Sequence, residues 1–230
     1  KPQTMENALI GARTMLRWAE SAKWIRQAPR KPPFRVPPSD IRPVTQQQYD
    51  LVLAAAAATD EPVRFPVLLE LLWETGMRPG EAFGIPHHHL HVDGQGRAFI
   101  QLREHGEHTL KTTHSHRDVP VSPELMHRLA ELEEQEDGTL FGVPWVDRTY
   151  HYWRHRLQLT IASIGVKEFT LGAFRHTRST RLFNSGVPIH IYRRMMGHSA
   201  KTALEHYAAV STGDLWDAFE QASDEDVEAA

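Results

Sequence analysis

The chain is predicted to form a mainly helical α+β domain carrying a small three-stranded antiparallel sheet. Three observations predict it. Apolar residues recur at helical spacing through most segments between 45 and 207, and capping and stop residues bracket those segments. The interval 98–121 instead holds three short β-prone runs parted by polar turns. With 230 residues and 40% hydrophobic content, the chain can bury a core for one good domain plus a fragment.

Composition narrows the functional classes. No apolar run approaches the roughly 18 residues of a spanning helix, since the longest, Leu51 to Ala58, is short and alanine-rich. Zero Cys excludes disulfides and thiolate metal sites, which fits a reducing compartment. Residues 212–230 hold seven acidic side chains (Asp214, Asp217, Glu220, Asp224, Glu225, Asp226, Glu228) and no Lys or Arg. Subtracting those seven charges from the net −3 leaves +4 for residues 1–211. A modestly positive body is compatible with a polyanionic partner but does not demand one.

In chain order, Met5 to Gln27 reads as one amphipathic helix, with Leu9, Ala12, Leu16 and Ala19 at helical spacing and no partner for that face within the segment. Pro29 to Pro43 contains six prolines together with Arg30, Lys31, Arg35 and Arg42, a composition that extends rather than folds. Thr45 with Gln48 forms a capping box for a helix over 46–58, and Val63 to Thr75 forms a second, largely buried helix stopped by Gly76. Arg78 projects from a Gly-Met-Arg-Pro-Gly turn into a short helix, where Glu81 three residues on can brace it.

Ala98 to Leu102, His108 to Thr113 and Arg117 to Val121 read as the three strands, with Lys111 on the middle one. Ser122 caps the next helix, through Glu134, with Pro123 at its first position; Asp147 caps the one that runs to Gly165. Thr170 can cap a helix through Arg175 and Leu182 to a Gly186 stop. Pro188 then starts a short helix ending at Gly197, and Ser199 caps a third that carries Tyr207. Such turns could bring Arg175, His198 and Tyr207 together.

Several segments resemble one family. FRHT (174–177), MMGHS (195–199) and EHY (205–207) are similar to the C-terminal signature of the tyrosine recombinases, the phage integrase family, written H-x-x-R-H, L-G-H-S and Y. ETGMRPGEAFGI (74–85) resembles that family's first arginine box, with Arg78 and Glu81, and LKTTHSHRDVPVS (110–122) resembles its lysine-bearing hairpin, with Lys111. Four motifs in the family's order are far more specific than any one alone. The sequence departs from the pattern at Gly172, where the family has a His three residues before the Arg.

The resemblance implies a division into four parts. Residues 1–28, with RWAESAKWI (17–25), would be the closing helix of a core-binding domain most of which lies outside this sequence. Residues 29–44 would be a basic linker, 45–211 the catalytic domain, and 212–230 an acidic tail that docks on a neighbouring protomer or remains solvated. The helix from Asp147 mixes Tyr152, Trp153, Arg154, His155 and Arg156, which suits either a DNA-facing helix or a half-buried core helix.

The implied activity is site-specific cleavage and rejoining of DNA strands through a 3′-phosphotyrosine, chemistry like that of type IB topoisomerases. Attack on a phosphodiester builds negative charge on the equatorial oxygens, which paired guanidiniums can hold. Arg78 and Arg175 take that role, Tyr207 is the nucleophile, His198 bonds a phosphate oxygen, and Lys111 protonates the leaving 5′ oxygen, with Glu81 and His176 in support. No cofactor or metal is expected. The implied partners are double-stranded DNA, a homotetramer of the chain on DNA and accessory DNA-bending proteins, with no membrane, at a cytoplasmic, nucleoid-associated location.

Two alternatives stay open. Glycine at 172 supplies no acid, base or phosphate contact, so the chain could be a slow enzyme or a DNA-binding relative that has lost cleavage. Fifteen His, including His87, His88, His89 and His91 and the set His105, His108, His114 and His116, raise a metal-dependent hydrolase, although no HExxH helix is present.

Overall fold

A computed structural model describes residues 2–30, 32, 43–106, 108–110, 115–143 and 148–207, with the side chains of 2, 3 and 204–207 outside the description. The chain divides into two compact units, Lys1–Ile41 and Arg42–Ala230. In the first, helix α1 spans Pro2–Ser21 and closes on an edge-to-face pair of Trp18 and Trp24 at 5.0 Å. It stops short of the expected Gln27 because Lys23 turns left-handed (φ 59). Met5, Met15, Trp18 and Trp24 are exposed. Most of the proline-rich segment lies outside the described residues.

The second unit is built around α3 (Arg64–Thr75), whose Phe65, Val67, Leu68, Leu69, Leu71 and Leu72 are all fully buried. A helix apolar on nearly every side must be covered on nearly every side. The cover comes from α2 (Gln46–Ala56), α4 (Pro79–Phe83), α5 (Pro123–Ala130) and α7 (Leu171–Asn184), while α6 (Thr149–Ile164) packs on α2 and α4. The α2 capping box forms as the sequence predicts, with Gln48 N–H donating to Thr45 Oγ1 at 3.2 Å and Thr45 N–H to Gln48 Oε1 at 3.0 Å. Tyr49 stacks on Trp73 at 4.1 Å and both meet Phe174 edge-on, which ties α2, α3 and α7 together.

On α6, Trp153 and Leu157 are buried and the Trp153 indole donates to Phe141 O, whereas Arg154 and His155 are exposed. The half-buried reading of that helix holds, and its basic residues Arg154 and His155 lie on the exposed side. Asp147, its expected cap, lies outside the described residues. A smaller cluster of Leu182, Tyr192, Met196 and Ala203 joins α7 to α8 (Ile189–Met196) and α9 (Ala200–Tyr207).

The sheet has three antiparallel strands in the order β1 (Leu90–Val92), β2 (Ala98–Leu102) and β3 (Arg117–Pro120). This corrects one expectation. Over 108–110 the predicted middle strand does not form: His108 makes only an isolated bridge to His105 around Gly106, and residues 111–113 lie outside the description. The third strand is Leu90–Val92, paired to β2 with Leu90 opposite Ile100 and Val92 opposite Ala98. Three residues centred on a His are too few to show alternation. Two helix ends also differ. α5 ends at Ala130 rather than Glu134, and Thr170 takes the extended N-cap conformation for α7 without a side-chain capping bond. Among the described residues, no helix is long and apolar enough to cross a membrane.

Candidate active site

The turn after α3 places the first functional arginine. Gly76 adopts φ 64, and a Cβ there would lie 2.6 Å from Arg178 Cβ, so both backbone and packing require glycine. Two residues on, Arg78 stands at the N-terminus of α4, its Nη1 2.7 Å from Glu81 Oε1 and its backbone N–H donating to Glu81 Oε2 at 2.8 Å. The predicted pair is present, and Glu81 is buried. Among the described residues, Arg78 Nε and Nη2 have no hydrogen-bond partner, and its side chain is 28% exposed. It can receive an anion.

Arg175, in the second turn of α7, donates through Nη1 to Gly76 O at 3.1 Å and through Nη2 to Met196 O. It is thereby held against the turn that bears Arg78 and the last turn of α8. Gly197 closes α8 in the left-handed conformation (φ 61), with His198 N–H returning to Arg193 O and Gly197 N–H to Arg194 O, the Schellman pattern. His198 follows directly, buried, with its ring edge-on to Tyr192 at 5.6 Å. Ser199 then caps α9 as predicted, accepting from Thr202 N–H at 3.2 Å.

A third arginine, missed in the sequence, lies behind these. Arg117 enters β3 on the core face, in register with Leu102, and its Nη2 reaches Glu81 Oε2 at 2.9 Å. Its signal was its place: in R-D-V-P, period two puts Arg117 on the same inward face as Val119, where a charge needs a partner. Two guanidiniums therefore bond one carboxylate, and Arg175 feels its charge without bonding it. Burial and the positive charge of Arg78 push the Arg175 pKa down to about 10, leaving it a cation at neutral pH in a site short of negative charge. An incoming phosphate would relieve that shortage.

Burial alone would raise the Glu81 carboxyl, but the bond and charge of Arg117, with hydrogen bonds from the Arg78 backbone and side chain, outweigh it and hold it below the ordinary carboxylate range. Its stabilising contribution is therefore present at neutral pH and is lost as pH falls through and below the usual range for Glu. Glu81→Gln, which leaves the buried Arg117 guanidinium and the partly exposed Arg78 facing a neutral amide, is expected to cost about 3 kcal/mol near neutral pH. Urea unfolding should show the gap between parent and variant narrowing toward about pH 4.

The other expected residues are placed less fully. Tyr207 is the last residue of α9, with its side chain outside the description, and Lys111 and His114 lie outside the described residues altogether. Gly172 is exposed on the first turn of α7, and a Cβ there would meet only Thr170 Oγ1, at 3.6 Å. His176 is half-buried and makes no side-chain hydrogen bond or ion pair among the described residues.

The histidine-rich region is occupied in other ways. His87 lies 3.7 Å from Glu134 and His108 3.4 Å from Asp137, while His91 stacks on Phe99. Burial first, then the neighbouring His88 and His105, push the His89 pKa down to about 4. Among the described residues, no group of three or more His, Cys, Asp or Glu could hold a metal ion.

Known proteins match this arrangement. The family model described as "Phage integrase family" matches residues 42–213. Tyrosine recombinase XerC of Corynebacterium efficiens is 26% identical over 174 residues, covering 74% of this chain and 54% of that protein. Tyrosine recombinase XerD of Oceanobacillus iheyensis is 23% identical over 187 residues, covering 77% and 60%. The chain thus spans little more than half the length of these curated relatives. Among solved structures, the Tn1549 transposon integrase in complex with transposon right end DNA superposes with a TM-score of 0.69 at 20% identity, over 95% of this chain and 79% of that one.

Proposed function

The chain belongs to the phage integrase family, and on that premise we propose that it is a site-specific recombinase that cuts and rejoins double-stranded DNA through a 3′-phosphotyrosine. The observation that carries this reading is the paired presentation of Arg78 and Arg175 across the ends of α3 and α8, with more positive charge than Glu81 can balance. Charged donors fixed before the substrate arrives stabilise developing charge without reorganising.

In the proposed reaction the scissile phosphate lies against Arg78 and Arg175, with His198 bonding one of its oxygens. The Tyr207 hydroxyl, whose ordinary pKa is about 10, must pass its proton to solvent water or a neighbouring base as it attacks. A bond forms from its oxygen to phosphorus as the bond to the 5′ oxygen breaks, and Lys111 delivers a proton to that leaving oxygen. The phosphotyrosine keeps the bond energy of the phosphodiester. Attack by a 5′ hydroxyl, on the original strand or another, reverses the step without ATP.

The test requires a duplex that the protein recognises, obtained by selecting bound sequences from a random-sequence duplex library with the full chain. Nicking that duplex beside the cleavage position lets the short fragment diffuse away and traps the intermediate. A band that survives denaturation, forms in EDTA and disappears on protease treatment is the expected result. Loss of the band in EDTA with restoration by zinc would favour metal-dependent cleavage instead.

Gly172 sets the expected rate. Its Cβ direction is open, so Gly172→His introduces a Cβ without a clash and replaces a helical glycine, adding up to about 0.5–1 kcal/mol of helix stability. A positioned acid or base contributes about 10²–10⁴ in rate, so this variant is expected to cleave at least ten times faster in single turnover. His176→Ala should mainly lower stability. No gain from Gly172→His together with near-complete loss in a folded His176→Ala would mean that His176 already supplies the missing group.

The proposal extends to assembly as a homotetramer on DNA, with DNA-bending proteins as accessory partners and the nucleoid as its place of action. The acidic tail lies outside the described residues; in its sequence the spacing of Leu215, Trp216 and Phe219 would put them on one face of a helix. Deleting residues 212–230 is expected to weaken pairing of two DNA sites while sparing single-site binding. Crosslinking that shows unchanged assembly would remove the tail from the interface.

A further inference from the structure

We infer that Arg117 is a positioning residue that fixes the catalytic geometry from behind, through Glu81 and the end of α8; this inference rests on the recombinase reading. Arg117 is buried and its donors are spent inside the protein: Nη2 on Glu81 Oε2 (2.9 Å), Nε on Met195 O (3.0 Å) and Nη1 on Ser115 O (3.0 Å). It therefore cannot be the group that meets phosphate. It instead joins three parts that meet nowhere in sequence: the first arginine box, the start of β3, and the turn that leads into His198.

The first link runs through a shared carboxylate. Glu81 Oε2 accepts both the Arg78 backbone N–H and Arg117 Nη2, while Oε1 takes Arg78 Nη1. Arg117 pins one oxygen, so the carboxylate cannot rotate to grip the Arg78 guanidinium with both. Arg78 is then oriented but not fully neutralised, the state in which its remaining donors face an anion best.

The second link is at the last turn of α8, whose carbonyls lack helical partners and carry the negative end of the helix dipole. Two consecutive ones are taken by cations, Met195 O by Arg117 and Met196 O by Arg175. Phosphate-binding Arg175 and positioning Arg117 thus clamp the same turn from two sides, and that turn sets His198. A buried ion pair such as Arg117–Glu81 is costly to fold, and replacing both partners by well-packed apolar residues would commonly be as stable or more so. Stability alone does not account for it.

The test separates positioning from folding. With the full chain and its selected nicked duplex, Arg117→Met, which leaves the buried Glu81 carboxylate to Arg78 alone, is expected to melt below the parent and, at a temperature where it is fully folded, to bind the duplex within about twofold. It should nonetheless cleave about 10²-fold more slowly, the scale of a misplacement of about 1 Å at a reacting centre. Arg117→Lys keeps the charge but cannot span three acceptors, so it should recover only part of the rate. Because one of the two links of Arg117 runs through Glu81, the Arg117→Met/Glu81→Gln pair should be slowed by clearly less than the product of the two single losses, a non-additivity that two independent defects would not give. Parental cleavage by Arg117→Met, or losses that multiply in the double variant, would overturn the inference. If Arg117→Met does not fold, full recovery by Arg117→Lys would overturn it and partial recovery would support it. Absence of any adduct with the parent protein would instead count against the recombinase reading itself.

Discussion

Tyr207→Phe is expected to bind the selected duplex as tightly as the parent and to form no covalent adduct. The substitution removes one oxygen and leaves the ring, the helix Ala200–Tyr207 and the Arg78–Arg175 cluster in place. Affinity for duplex DNA is dominated by contacts to backbone phosphates, so binding and its salt dependence should not move. Tyr192, the tyrosine nearest His198 among the described side chains, is a poor substitute. It is buried, and its hydroxyl is 2.6 Å from Ser179 Oγ. An adduct persisting in Tyr207→Phe would sink the nucleophile assignment.

Arg175→Ala is expected to lower the single-turnover cleavage rate by about 10²–10³, equivalent to about 3–4 kcal/mol of barrier, by analogy with removal of one oxyanion donor. Arg175→Lys should restore little. An ammonium keeps the charge but not the planar fork that spans Gly76 O, Met196 O and a phosphate together. The change in folding stability should be small, because the lost carbonyl contacts are offset by removing a cation whose burial already depresses its pKa. A rate within threefold of the parent would show that Arg175 does not hold the transition-state charge.

The legible parts of the fold were those whose chemistry is local. Thr45 and Gln48 are three residues apart, and so are Ser122 and Leu125; Gly76, Gly165 and Gly197 stop their helices by their own backbone conformation. The Arg78–Glu81 pair was legible for the same reason. Arg117 was not, because its partner Glu81 is 36 residues away and only the sheet register brings the two together. Leu90–Val92 was hidden inside a histidine run, three residues too few to show alternation. The segment from His108 was misread as a strand although a glycine turn at 106 uses its first residue to pair with His105. Thr170 met the capping pattern in sequence and conformation, yet its hydroxyl makes no capping bond.

The central claim is that the chain cleaves DNA by linking it to Tyr207, and peptide mapping of the trapped intermediate tests it most directly. The parent protein is incubated with the nicked selected duplex, digested with protease and nuclease, and the nucleotide-bearing peptide is sequenced by mass spectrometry. The account predicts one modified peptide, with a 3′-linked nucleotide on Tyr207 and a free 5′ hydroxyl on the released strand. A nucleotide on any other residue, a 5′ linkage, or cleavage with no protein-linked nucleotide would contradict it.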